Sequence, residues 1–337
     1  MPPYYDTTSI VTDFNKNTRT FLKLDFFAKI HYNREENGVR EMERWRYTVP
    51  EEYDGATVQT FLRRGLGMSA RMVVRVKFKE DGITVNGERR RTIDPVHVGE
   101  EVVLCPPSDE VHIEGADLPL TVVYEDEAVL VVDKPPYLAV HPSAGKPEPT
   151  LANAVVGYYE RCGHPLSFRP VNRLDRNTSG LLLAAKNPHV AFAMMQKPQK
   201  DYLAIVLGEL HGSGLIDQPI RVKEGSCITR EVGEGGKDSR THYEALATDG
   251  DVTFVRLRLE TGRTHQIRVH MAWLGYPLAG DTMYGTDETV MPRHALHCAT
   301  MRFEHPIGGQ PLVFESPLPD DMWACLKKHG LTGGISR

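Results

Sequence analysis

A chain of 337 residues is long enough for two domains, and its 40% hydrophobic and 25% charged residues are ordinary for a globular protein. A formal net charge of −5 gives no overall sign of nucleic-acid binding. The five cysteines lie far apart without a CxxC or Cys/His cluster, which argues against a disulfide framework or structural zinc and favours a reducing cytoplasm. No apolar run has the length of a membrane span and no secretory signal is evident, so we expect a cytoplasmic protein without a membrane partner.

The first compact unit is predicted at residues 47–107. It follows an N-terminal extension (1–46) without clear periodicity, and one hypothesis is that Met42 is the true start of the chain. The predicted elements are an amphipathic helix at 57–66, a second helix at 68–82, a hairpin that turns at Asn86-Gly87, and a strand at 96–107 with a proline stop.

The second of these helices carries much of the local positive charge. Residues 55–95 contain nine arginines and lysines against four acids, and Arg71, Arg75 and Lys77 fall on this helix. A run of charge is most often a solvated face. The order of helix, basic helix, hairpin and strand nevertheless resembles the S4 RNA-binding domain, and the resemblance implies that these three cations bind RNA phosphates.

The rest of the chain, after a predicted linker at 108–119, is expected to form one domain at 120–330. The predicted strands are two within 120–136 around an acidic turn, then 202–209, 252–260 and 266–272, and the predicted helices are 151–163 and 189–198. Because helices and strands do not alternate regularly, we expect an α+β fold with a mixed, mainly antiparallel central sheet rather than a doubly wound one.

Asp175 stands between two arginines in the stretch RLDRNTSGLLLAAK (173–186). From the residues alone it is a helix cap, an exposed ion pair with Arg173 or Arg176, or a catalytic carboxylate. The Asn-Thr-Ser-Gly that follows is expected to turn the chain, and the apolar run to anchor the loop in a core strand. The pattern suits a carboxylate kept ionised by cations, but it leaves all three interpretations open.

Five blocks, in order along the chain, resemble the RluA-type pseudouridine synthases. They are VVYEDEAVLVVDKPPYLAVHPS (122–143), RLDRNTSGLLLAAK (173–186), KDYLAIVLG (200–208), LETGRTHQIRVHMAWLGYPLAGDTMYG (259–285) and HALHCATMRFEHPIGG (294–309). The resemblance spans about residues 120–320 and implies the pseudouridine synthase fold, with a small α/β S4 domain ahead of it. One departure is Asn172, because the family usually carries His before Arg-Leu-Asp.

The resemblance also implies roles for individual residues. Asp175 is the essential carboxylate, which attacks the ribose or abstracts a proton from it. Tyr202 stacks on the flipped base, and Arg268 holds both oxygens of Asp175 in a bidentate pair. Arg173 and Arg263 contact phosphate or shape the site. Without the resemblance, Tyr202 is interpreted as a core aromatic residue and Arg268 as a cation at a strand edge.

The implied function is the isomerisation of a specific uridine in structured RNA, with 23S ribosomal RNA as the favoured substrate and transfer RNA as the alternative. The reaction involves no redox change, so we expect no cofactor and no metal. His265 and His270 are five positions apart and lack an evident third ligand. We expect a monomer. Two other hypotheses are a non-catalytic factor that needs only the S4-like unit, and a glycosyl hydrolase, for which no general acid is evident.

Overall fold

The computed structural model describes residues 44–68, 70–105, 113–142, 149–195, 198–285 and 290–333, apart from the side chains of Arg71 and His189. Met42, nearly all of the predicted N-terminal extension and the first half of the predicted linker lie outside these residues. None of the helices within the described ranges is both long and apolar enough to cross a bilayer.

The N-terminal unit is a small antiparallel sheet with helices packed against it. Its strands are β1 Trp45–Thr48, β2 Ile83–Val85, β3 Glu88–Arg89 and β4 Glu101–Leu104, and its helical segments are a 3₁₀ turn Glu51–Tyr53, α1 Val58–Thr60 with a π-helical continuation Phe61–Gly65, and α2 Ala70–Lys77. The strand order is β1-β4-β2-β3. Asn86 and Gly87 have φ of 50° and 85°, as a tight two-residue hairpin turn requires, so the predicted hairpin is confirmed.

Three predicted bounds in this unit are wrong. Trp45 pairs with β4 and is 1% exposed, so the sheet begins two residues before the predicted start of the domain. Helix α2 ends at Lys77 rather than at 82, because the chain turns back so tightly that a Cβ on Gly82 would lie 1.8 Å from the carbonyl oxygen of Val76. The last strand is shorter than predicted, since residues 97–100 form a turn closed by a backbone hydrogen bond of 3.1 Å.

The main domain is built on a ten-stranded sheet. The strands of the domain, in chain order, are β5 Thr121–Glu125, β6 Val129–Lys134, β7 Arg169–Pro170, β8 Ser179–Ala185, β9 Gln199–Leu207, β10 Ser213–Asp217, β11 Ile220–Val222, β12 Arg230–Val232, β13 Arg240–Thr248, β14 Val252–Leu259, β15 Leu296–Glu304 and β16 Pro311–Glu315. Strands β11 and β12 form a separate two-stranded sheet, and the other ten form the large sheet. The helices are α3 Leu151–Arg161, α4 Pro188–Ala193, α5 Gln266–Trp273 and α6 Asp320–Lys328.

The large sheet has the order β10-β13-β14-β9-β15-β8-β6-β5, with β7 on β8 and β16 on β15. Among the strands described, every pairing in it is antiparallel except that of β15 with β8. The predicted α+β fold with a mixed, mainly antiparallel sheet is confirmed.

Helix α5 occupies a segment, 266–272, that the sequence predicts as a strand. Apolar and polar residues alternate there, which is the period of a strand. In the helix both sets are buried, because the polar side chains of Gln266, Arg268 and His270 have hydrogen-bond partners of their own in the interior. Tertiary contacts therefore override the local pattern.

The second half of the predicted linker is packed onto α3. The Asn153 side chain donates to the carbonyl of Glu114 at 2.9 Å, and the N–H of Ala116 donates to the carbonyl of Asn153 at 2.9 Å. A Cβ on Gly157 would lie 2.3 Å from the carbonyl oxygen of Ala116, so the two backbones touch. Residues 113–118 belong to the main domain.

The apolar run after Asp175 forms β8, in which all seven residues are buried. Gly180 has a φ of 105°, and a Cβ there would lie 2.3 Å from the carbonyl oxygen of Cys298 on β15, so this parallel pair needs a glycine. Cys298 is also the register partner of Tyr202 on β9. Gly180, Cys298 and Tyr202 therefore form one row across the sheet, which sets Tyr202 near the loop that carries Asp175.

Candidate active site

A cleft of about 390 Å³ lies where the loop before β8, strand β9 and the N-terminal end of α5 meet. Asp175, Tyr202, Arg268, Arg173 and Arg263 all line it. The five site residues predicted in the main domain are thus brought to one place from segments far apart in the sequence.

Asp175 lies in the loop between β7 and β8, so it does not cap a helix. Its side chain is 29% exposed, and Nη1 of Arg268 donates to its Oδ2 at 3.1 Å. The cation that contacts the carboxylate is therefore 93 positions away along the chain. The site holds a carboxylate that is both bound by an arginine and open to the cleft.

Arg268 forms its bidentate pair with Asp281, not with Asp175 as predicted. Nε and Nη2 donate to the two oxygens of Asp281 at 2.7 and 2.8 Å, and Asp281 also accepts the N–H groups of Met283 and Tyr284 at 3.1 and 3.2 Å. Burial raises the pKa of Asp281, but the Arg268 guanidinium outweighs it and holds that pKa below its ordinary value. Asp281 fixes the guanidinium, which leaves one nitrogen to meet Asp175.

Lys134 supports the loop that carries Asp175. Its ammonium is buried at the end of β6 and donates to the carbonyls of Pro135, Leu138 and Arg176 at 2.9, 2.9 and 3.1 Å. Burial lowers the pKa of Lys134 to about 7. The three donors of the ammonium match three carbonyls, so the residue after Asp175 is tied to the Lys-Pro loop.

Arg293 and His294 hold the next two residues of the loop. Arg293 is buried, pairs with Asp321 of α6 through Nε and Nη2 at 2.6 and 2.9 Å, and donates from Nη1 to the carbonyl of Asn177 at 2.9 Å. The ring of His294 contacts the Thr178 hydroxyl at 2.8 Å, and burial lowers the pKa of His294 to about 3, so the ring is neutral. The loop is thus fixed on both sides by buried groups.

Sequence reasoning missed Asp281, Lys134 and Arg293. Asp281 and Lys134 lie inside blocks that resemble the family, and that is their only signal in the sequence. Arg293 immediately precedes such a block and carries no signal of its own.

Tyr202 is both a core residue and a cleft residue. It lies between Leu257 and Cys298 in the sheet and is buried, yet its ring lines the cleft. Burial, followed by the neighbouring Cys298 and Asp175, raises the pKa of Tyr202 well above its ordinary value, so the hydroxyl stays protonated. It offers an apolar, uncharged wall next to the carboxylate.

Asn172 takes the place of a backbone peptide group. Its Nδ2 donates to the carbonyl of Leu181 at 3.3 Å and its Oδ1 accepts the N–H of Leu183 at 2.8 Å, both on β8. The side chain is buried and prolongs the pairing of β7 with β8 up to the loop. The residue that departs from the family pattern is therefore structural here.

Replacing Asn172 by Leu should lower the free energy of unfolding, measured by urea denaturation, by ~1–3 kcal/mol for each of the two buried backbone groups left unpaired. Gln59→Leu removes an amide from an exposed helical position and serves as the control, with an expected change within about 0.5 kcal/mol. An Asn172→Leu protein as stable as its parent would contradict this structural role.

The remaining cations divide into two groups. Arg173 is exposed at the cleft. The Arg263 side chain is held by one hydrogen bond, from its Nε to the carbonyl of Asp238 at 3.1 Å. Arg75 and Lys77 are exposed on α2, in the N-terminal unit, and the Arg71 side chain lies outside the described part of the chain. These two groups belong to different units, and only the first lines the cleft.

The two histidines of the THQIRVH segment differ in role. His270 is buried and contacts the Thr241 hydroxyl at 2.8 Å and the Gln218 carbonyl at 3.0 Å, so it is structural. His265 lies against Asp175, with Nε2 3.8 Å from Oδ2. Within the described ranges, no three His, Cys, Asp or Glu side chains are grouped to hold a metal ion.

Known proteins are similar to this chain in sequence and in fold. A family model described as RNA pseudouridylate synthase matches residues 128–273. An RNA pseudouridine synthase of Bacillus subtilis is 37% identical over 271 residues, which are 78% of this chain and 95% of the relative. The ribosomal large subunit pseudouridine synthase D of Vibrio parahaemolyticus is 39% identical over 265 residues, 72% of this chain and 81% of that protein.

Among solved structures, the human protein RNA Pseudouridylate Synthase Domain Containing 1 is similar with a TM-score of 0.51 and 29% sequence identity. The match covers 63% of this chain and 89% of the human one. Sequence and structure comparisons therefore agree over the main domain.

Proposed function

The chain belongs to the RNA pseudouridine synthase family, and we propose that its substrate is a uridine of large-subunit ribosomal RNA. It is an isomerase that acts on RNA. The name of the Vibrio relative supports ribosomal RNA as the substrate, and transfer RNA is the alternative. We further propose that the protein is a cytoplasmic monomer.

The observation that carries the proposed catalytic roles is the meeting of Asp175, Arg268 and Tyr202 in one open cleft. A uridine must leave its stack to reach a carboxylate in such a cleft, and the Tyr202 ring offers a surface for the extruded base. Arg268 donates to Asp175 and so orients its carboxylate for the reaction with the ribose. These three side chains favour an enzyme over a factor that only binds RNA.

The reaction exchanges one glycosidic bond for another. The C1′–N1 bond breaks and its electron pair leaves with uracil, while Asp175 either bonds to C1′ or takes the C2′ proton to leave a glycal. The base turns and C5 bonds to C1′, which breaks the bond of Asp175 to C1′ in the first route or is accompanied by return of the proton from Asp175 to C2′ in the second; the C5 proton is then lost and N1 takes up a proton. No atom is gained or lost and no electron is transferred, so the proposal needs neither cofactor nor metal.

The N-terminal unit is proposed to be an S4-like domain that binds RNA. Its support is the order of two helices, a hairpin and a closing strand, together with the exposed cations of α2. Phe78, next to Lys77, is 77% exposed with the ammonium 4.8 Å from its ring centre, so an aromatic surface lies beside the charge. Such a combination suits RNA, which offers both phosphates and unpaired bases.

Replacing Arg75 and Lys77 together by Gln should weaken RNA binding and reduce the salt dependence. The slope of log K against log salt should fall in magnitude by about 0.7–0.9 for each phosphate that the variant no longer neutralises. Filter-binding titrations across a salt series measure it. Lys327→Gln with Lys328→Gln removes the same charge from an exposed helix end of the main domain and should leave the slope unchanged. An unchanged slope in the α2 variant would count against the RNA-binding role.

The substrate is identified by mapping pseudouridine across total RNA from a strain that lacks this gene. We expect the loss of pseudouridine at a position of large-subunit ribosomal RNA and its return when the gene is restored. Loss confined to transfer RNA would replace the proposed substrate with the alternative. No loss in any RNA would contradict the proposed function.

A further inference from the structure

His265, at the head of α5, has an unusual backbone conformation. Its φ of 57° and ψ of 19° lie in the left-handed region, which residues other than Gly adopt in only a few per cent of cases, Asn, Asp and His most often among them. Such a conformation persists only where the surrounding contacts require it, and it is frequent at functional sites. Here it directs the ring of His265 toward Asp175, with Nε2 3.8 Å from Oδ2.

Tyr284 determines which ring nitrogen carries the proton. The Tyr284 hydroxyl oxygen accepts the backbone N–H of Arg230 at 2.9 Å, and its own hydrogen is then free for Nδ1 of His265 at 2.8 Å. In the tautomer that accepts this hydrogen at Nδ1, Nε2 carries the hydrogen that faces Asp175. Burial lowers the pKa of His265, so the ring is neutral near pH 7 and acts as a donor without a charge.

Arg268 and His265 face the same oxygen of the Asp175 carboxylate. Arg268 donates to Oδ2 at 3.1 Å, and His265 approaches Oδ2 as well. Within the described residues, neither a hydrogen bond nor an ion pair from a side chain reaches Oδ1. Oδ1 thus keeps its lone pairs for the substrate.

Tyr284 also supports Arg268, the other side chain beside Asp175. The Arg268 guanidinium lies 5.0 Å from the centre of the Tyr284 ring, and the N–H of Tyr284 donates to Asp281, which holds Arg268. One tyrosine therefore positions both groups that contact Asp175.

We propose that His265 is a positioning residue for Asp175: its neutral imidazole, fixed by Tyr284, donates from Nε2 to Oδ2 when substrate is bound and leaves Oδ1 as the reacting oxygen. The proposal rests on the proposed role of Asp175 in the isomerisation. Apo contacts of this length commonly shorten when a substrate closes the site. The charged or titratable groups that face His265 are Asp175, its neighbour Arg268 on α5, Arg230 on β12, and Asp281 with Tyr284 on the turn after α5.

The test compares His265→Asn with His265→Gln under single-turnover conditions at saturating enzyme. Asn tolerates the left-handed backbone and can still meet Tyr284, but it is too short to reach Asp175. We expect its rate constant to fall roughly ten- to a hundredfold, with unchanged RNA affinity, because one hydrogen bond to a charged group is lost. Gln places an amide nitrogen near the position of Nε2 and should recover part of the rate.

Tyr284→Phe keeps the ring beneath Arg268 and removes only the hydroxyl, so we expect a smaller loss of rate with unchanged RNA affinity. His211→Asn alters an exposed histidine next to Glu209 and is the matched control, with no expected change. A His265→Asn rate within about twofold of the parent, or a loss of rate that His265→Gln does not partly recover, would overturn the proposal. A parent protein that forms no pseudouridine in any RNA would instead contradict the proposed function itself.

Discussion

Asp175→Asn should abolish pseudouridine formation while leaving the fold and RNA binding intact. Asn has the shape of Asp but neither bonds to C1′ nor takes a proton, so both routes are blocked. We expect the rate constant to fall by roughly 10⁴-fold or more, as when the nucleophile of other enzymes is removed. The fold should survive because Arg268 keeps its bidentate partner Asp281, so no buried charge is left alone. Release of tritium from RNA labelled at C5 of uridine measures the reaction.

Glu244→Gln is the matched control for this change. Glu244 also pairs with an arginine, Arg256 at 2.9 Å, but both are about half exposed and lie outside the cleft. The same loss of a carboxylate there should leave activity unchanged. Tritium release that persists in Asp175→Asn would remove Asp175 from the mechanism, whatever the family resemblance implies.

Arg268→Met should cost both stability and activity. Asp281 would keep its negative charge in a fully buried position without its cation, and breaking such a pair destabilises a protein by about 3–5 kcal/mol. Asp175 would also lose its arginine donor, so we expect the rate constant to fall by roughly 10²-fold or more. Urea denaturation and single-turnover kinetics on the same preparation measure the two effects.

The double variant Arg268→Met with Asp281→Asn separates stability from chemistry. With the buried charge removed, and with an amide oxygen still able to accept the N–H groups of Met283 and Tyr284, most of the lost stability should return. The rate should not return, because no arginine then holds Oδ2 of Asp175. A double variant that recovers its rate together with its stability would show that Arg268 acts on the fold alone.

Of the ten described strands of the large sheet, the sequence predicted the five whose signals are local, β5, β6, β8, β9 and β14. The Asn86-Gly87 turn and the apolar run of β8 each depend on neighbouring residues, and both are confirmed. Helix α5 was predicted as a strand because its alternating pattern suits a strand, and the burial of its polar residues depends on partners distant in the sequence. A pattern of neighbouring residues therefore predicts only the structure that neighbouring residues determine.

The site shows the same division. The residues that contact one another at Asp175 come from resemblance and not from pattern, since nothing in the sequence of Arg268 tells that it meets a carboxylate 93 positions away. The predicted bidentate pair was wrong because a second acid, Asp281, binds the same guanidinium. Asp281 is fully buried beside Arg268, and the sequence does not show this. Contacts of this kind form only when the whole domain folds.

The loop after Asp175 is held mainly through its backbone, since Lys134 and Arg293 bind carbonyl oxygens of residues 176 and 177. A carbonyl is present whatever side chain the residue carries, so the contacts of Lys134 and Arg293 do not depend on the side chains of Arg176 and Asn177. Arg293 is also paired with Asp321 in the first turn of α6. Fraying of the last helix would release one side of the loop, so inactivation on heating should begin at the C-terminal helix before the sheet unfolds.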